Sequence, residues 1–119
     1  ISILTNMFVK FNYDNFPKVN VEFGKLESDN DFNILINEWM RLYSEKKEFE
    51  FEFDTSNLEV YNIKYCFKMA TFIHKLKKEP VQYLKRSTII VKNSFIHRLL
   101  DLIFFIQSPV APVEIIKDY

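Results

Sequence analysis

Glycine is almost missing from this chain. Gly24 is the single one among 119 residues. Loops that cradle phosphate need several glycines, because only a backbone without Cβ can approach the ligand closely. A P-loop and a dinucleotide-binding fingerprint are therefore excluded. Cysteine is as scarce. Cys66 cannot form an internal disulfide, and one Cys with two His argues against a structural zinc site. A lone thiol also reads as an intracellular, cytoplasmic protein. Charge of one sign is lacking too: 16 basic residues balance 16 acidic ones. That removes bulk attraction to nucleic acid or to an anionic membrane. No long hydrophobic run exists. The most apolar stretch, SFIHRLLDLIFFIQ, has 14 residues and contains His97, Arg98 and Asp101, too short and too charged to span a bilayer. Residues 1–5 offer no basic start or small-residue cleavage site, so no signal peptide is expected. The missing initial Met reads as a trimmed chain or a fragment.

What is abundant is phenylalanine, with 13 residues in a chain that is 48% hydrophobic. Each buried Phe contributes about 1.5–3 kcal/mol, so a core of useful size needs neither disulfide nor metal. The length predicts one domain over residues 1–119.

Hydrophobic periodicity orders the elements. MFVKFNY (7–13) and KVNVEF (18–23) alternate with a period of two and are joined by the turn residues DNFP, which predicts a β-hairpin. SDND (28–31) approximates a capping box before Phe32, Leu35, Ile36, Trp39 and Tyr43, which repeat at helical spacing. EFEFEFD (48–54) predicts a third strand with Phe49, Phe51 and Phe53 on one face and Glu48, Glu50 and Glu52 on the other. A second helix ends before Pro80. STIIVK (87–92) is a strand, Asn93 and Ser94 cap a third helix, and VEII is a last strand. The order ββαβαβαβ predicts an α/β domain with a mixed sheet. Clean alternation in the first three strands puts the helices mainly on one face and leaves the other face wet. On that wet face the three glutamates are expected to pair with Lys10, Lys18 or Lys92. Acids two apart on a strand project in parallel about 6.5–7 Å apart and do not converge on one ion.

The succession of strand, FDTSNLEVYNIKYCFKMATFI, STIIVK, helix and last strand resembles the STAS domain, the fold of bacterial anti-sigma factor antagonists. The resemblance covers most of the chain and implies a non-enzymatic regulatory module working by protein contact. The Asp-Ser-Ser-Gly phosphoacceptor motif of that family would fall on Asn62, Ile63, Lys64 and Tyr65, so the acceptor serine has no counterpart here. NEWMRLY and FDTSN resemble threonine-phosphorylated biofilm regulators, with Trp39, Tyr43, Thr55 and Ser56 matching. VKNSFIHRLLDLIFFIQSPVAPVEII is faintly similar to CRAL-TRIO lipid-binding domains. The first two alignments differ over the second helix. A start near Tyr61 or Asn62, with residues 57–60 as loop, matches the length of the neighbouring strands better than a start at Asn57.

Ligands and partners of open α/β sheets meet the loops at strand carboxyl ends. The candidate binding or phosphorylation residues are therefore Asp54, Thr55, Ser56, Asn57, Asn62, Asn93 and Ser94, with helix capping and turn closure as their structural role. Lys64, Lys68 and Lys75 form a candidate surface for an acidic partner. The second and third helices carry more apolar surface than one sheet contact needs, which suggests a subunit contact or homodimer. No catalytic constellation, metal site or cofactor is expected. The functional expectation is a regulatory or scaffolding protein-interaction module. The alternative is a domain that binds a small molecule or lipid head group in the crevice at the strand ends.

Overall fold

A computed structural model describes the backbone of residues 3–5 and the whole of residues 7–119. The reading of residues 1–5 as lacking a leader falls partly outside them. Eight strands and three helices follow in the order β1 (Ile3–Thr5), β2 (Val9–Asn12), β3 (Lys18–Phe23), β4 (Lys25–Leu26), α1 (Asp29–Ser44), β5 (Phe49–Asp54), β6 (Glu59–Val60), α2 (Lys64–Leu76), β7 (Leu84–Val91), α3 (Ser94–Ile106) and β8 (Val113–Lys117). The expected α/β order is present, with β1 and the two-residue strands β4 and β6 added to it.

The main sheet has six strands in the order β1-β2-β3-β5-β7-β8. The first three pair antiparallel, and β3, β5, β7 and β8 are parallel neighbours. Each crossover therefore moves one place in the same direction. Such crossovers are right-handed almost without exception, so all three helices fall on one face. Burial agrees. Val19, Val21, Phe49, Phe51, Phe53, Ile89 and Val91 are buried, while Lys18, Glu22, Lys85 and Arg86 between them are exposed. Strands β4 and β6 make a small separate parallel sheet.

Side-chain size sets the layer. Trp39 of α1 meets Phe51 edge-on at 4.9 Å and Phe72 of α2 at 5.1 Å. Such pairs add about 0.5–1.5 kcal/mol beyond their burial. Ser28 caps α1, its Oγ accepting from the Asp31 N–H at 3.2 Å, while Asp31 accepts from the Glu27 N–H at 3.0 Å. The Ser28 half of the capping box is thus present, while the reciprocal bond from Asp31 reaches back one residue further, to Glu27. Helix α2 begins at Lys64, so the later of the two expected starts holds, and part of the expected 57–60 loop is β6.

The wet face corrects one expectation. Glu52 does meet Lys18, at 3.4 Å, but Glu48 and Glu50 pair with Lys85 and Arg86 of β7, at 3.2 and 3.7 Å. Lys92 instead reaches Asp118 at 3.1 Å. The register explains it. A shift between Phe49 and Glu50 passes over Lys85 on β7 and sets Arg86 opposite Glu50, so two cations face β5 from that side.

Candidate functional site

The parallel strands end together, and the candidate residues gather there. Asp54 closes β5 opposite Ile90 of β7, so the loops after these two strands adjoin. Local chemistry fixes both loops. The Asp54 carboxylate accepts from the Ser56 N–H at 2.9 Å and from the Ser56 hydroxyl, the turn that Asp makes with its own backbone two residues on. Thr55 is buried. Its N–H and its hydroxyl both donate to the Ile90 carbonyl, at 3.1 and 2.6 Å. The Leu58 N–H closes the turn on the Thr55 carbonyl at 3.1 Å. Asn57 is exposed.

Asn93 is the N-cap of α3, its side chain accepting from the Ile96 N–H at 2.9 Å, and Ser94 is the exposed first residue of that helix. Asn62 accepts from the Lys64 N–H at 2.9 Å and so prepares α2. Every one of these bonds ties a strand end or a helix start. Asp54 alone also borders a polar cleft of about 220 Å³ on the wet face, with Lys10, Asn12, Asn20, Glu22 and Glu52. Among the described residues no group of three or more His, Cys, Asp or Glu is placed to hold a metal ion.

Compared with protein-family models, with curated proteins and with solved structures, the chain matches none.

The lysine surface divides. Lys64 turns toward α1, forming an ion pair with Asp29 at 3.1 Å and lying 5.1 Å above the Tyr65 ring. The hydrogen bond from Lys64 is the main reason the Asp29 carboxyl titrates below its usual 3.8, and a hydrogen bond from Tyr65 adds to it. Lys68 and Lys75 are exposed. Helix α2 contains no acidic residue, so this face is basic throughout.

Beside it lies an apolar surface. Helix α3 is rich in Leu, Ile and Phe; Ile96 is fully buried and Leu99, Leu100 and Phe104 pack half-buried on the core, yet apolar side chains remain on its outer side. Phe95 is 57% exposed and Phe105 88%, and Phe67 of α2 and its N-cap residue Ile63 are exposed as well. At 100° per residue Phe95, Leu102 and Ile106 fall within about 40° of arc. Helix α2 runs beside α3, and at their ends Gln107 and Ser108 bond to His74 and Lys77 at 3.3 and 2.6 Å.

One buried charge is absent from the expected residues. Glu38 of α1 is buried and accepts from Arg41 through both oxygens, at 2.8 and 2.7 Å, and from the Tyr13 hydroxyl. Arg41 also lies over the Tyr13 ring at 5.5 Å, and its guanidinium is held above its usual value chiefly by this carboxylate. The cluster fastens the hairpin to α1. Its signal was the spacing itself: Glu38 sits on the apolar stripe between Leu35 and Leu42, with Arg41 three residues on.

Proposed function

We propose that this chain is a non-enzymatic protein-interaction module of STAS-like fold, and that its contact surface is the outer side of α2 and α3. The fold reading is supported by the hairpin, the three crossovers advancing in one direction, and the small polar residues that turn the chain from β5 toward α2. A contact role is supported by how those polar residues are used. Their hydrogen bonds hold turns and caps, and the Thr55 hydroxyl is committed to the Ile90 carbonyl. The single observation that carries the proposal is α3, an apolar helix that packs one side on the core and still exposes Phe95, Phe105 and Ile106.

Charge selects the occupant. The apolar surface is flanked on α2 by Lys68 and Lys75, with no acid on that helix. An amphipathic helix with an acidic border fits both features, its apolar stripe on Phe67, Phe95 and Phe105 and its acids toward the lysines. Two designed leucine-rich helical peptides that differ only in Glu against Lys on the polar face test this by fluorescence anisotropy. The acidic peptide binds, and binding weakens as salt rises. Phe67→Ser with Phe105→Ser, and separately Lys68→Glu with Lys75→Glu, each lower the affinity about tenfold or more. Equal binding of the basic peptide, or no binding of the acidic one, would reject the proposal.

A further inference from the structure

The helix layer does not close completely on the sheet. Between them lies a cavity of about 160 Å³, with Trp39 of α1 and Phe53 and Ile89 of the sheet among its buried walls. Folded interiors hold few voids larger than a water molecule. Helix α3 shows where this one comes from. Ile96, Leu99, Leu100, Ile103 and Phe104 line the cavity at helical spacing, the stripe that a helix normally seals against its core. Ile96 is buried, but the other four are half-buried, as are Pro109, Val110 and Ala111 of the segment that follows. Helix α3 thus stands off the sheet, and the cavity opens on its side.

The walls decide what fits. Among the described residues no charged side chain lines the cavity. The Thr55 hydroxyl is committed to the Ile90 carbonyl, and Ser87 is 5% exposed, so its hydroxyl offers almost no surface. A charged ligand would lose its hydration there without gaining a partner, which is costly. A hydrocarbon has no such hydration to lose, and its burial is favourable roughly in proportion to its area. An engineered apolar cavity of about 150 Å³ stays dry and takes up benzene, so this one has room for a single ring.

We propose that this cavity is a binding site for a small uncharged apolar molecule, a single-ring hydrocarbon or an aliphatic group of like size. Phe67, Phe95 and Phe105 of the outer surface do not line it, so the site does not rest on the contact reading of α2 and α3.

Methionine reports on the cavity directly. Of the three methionines, Met69 lines it, Met40 does not, and Met7 is 95% exposed. A sample with carbon-13 in its methionine methyl groups is titrated with toluene, benzoate and benzylammonium, ring compounds of similar size of which the last two are charged. Toluene moves the Met69 methyl resonance and saturates, while that of Met7 stays in place. Benzoate and benzylammonium bind at least about tenfold more weakly. Ala111→Leu, which fills part of the cavity with a larger side chain, lowers the affinity for toluene about tenfold. If that variant does not fold, the Met69 shift and the ranking of the three compounds on the unaltered protein decide. The absence of a saturable Met69 shift overturns the proposal. So do equal shifts at Met69 and Met7, a charged compound binding as tightly as toluene, or undiminished binding in a folded Ala111→Leu protein.

Discussion

At the scale of the residue, the single glycine is informative because of where it is not needed for its backbone freedom. Gly24 has no positive φ. It is there for space: a Cβ would come within 3.0 Å of the Met7 carbonyl oxygen, and the Gly24 N–H already donates to the Phe8 carbonyl at 2.6 Å. The left-handed position after α1 is taken instead by Lys46, at a φ of 56°, where glycine would be unstrained. The two sites predict opposite signs. Gly24→Ala destabilises by about 1 kcal/mol or more, because a backbone carbonyl must move. Lys46→Gly gains about 0.5–1 kcal/mol, the relief of strain less the entropy glycine adds to the unfolded chain. Urea unfolding midpoints measure both. Neither residue's role could be read from the sequence. One depends on a carbonyl from the bend before β2, the other on how a helix happens to end. Glu38 is the opposite case, since its place on an apolar stripe was visible before its partners were.

At the scale of the element, α1, α2 and the segment leading into β7 are locked by one chain of hydrogen bonds. The Tyr43 hydroxyl donates to Gln82 at 2.7 Å, and Gln82 donates to the Leu76 carbonyl at 2.8 Å. Burial pushes the Tyr43 hydroxyl up to about 12 from its ordinary 10.0. The folded state thus favours the neutral phenol. Its contribution is complete below pH 10 and is lost as pH rises toward 12, where the unfolded chain releases the proton first. Between those values the unfolding midpoint falls, and Tyr43→Phe falls less over the same range. Most elements were legible in the sequence because period-two alternation and caps such as Ser28 and Asn93 are local. The two-residue pair of β4 and β6 was not, since it rests on register between distant segments. The exposure of α3 was legible only as an excess of apolar residues. Which of them would be covered depends on α2.

At the scale of the whole molecule, protection should grade from the middle of the sheet outward. Strand β5 is flanked on both sides, with Phe49 and Phe51 among the most buried residues, whereas β8 is an edge strand whose residues are half-buried or exposed. Amide hydrogen exchange should therefore be slowest in β5 and its neighbours β3 and β7, and faster in α3 and β8 than in α1. Equal protection in α3, β8 and α1 would contradict this grading. The cavity belongs to this scale as well, and the sequence did not carry it. It arises from the way large side chains on three helices meet one sheet. Strand order has a further consequence, for synthesis. Because β3, β5, β7 and β8 take their places in the order in which the chain is made, each can dock on a partner that has already left the ribosome. None has to be threaded between two strands that are already paired.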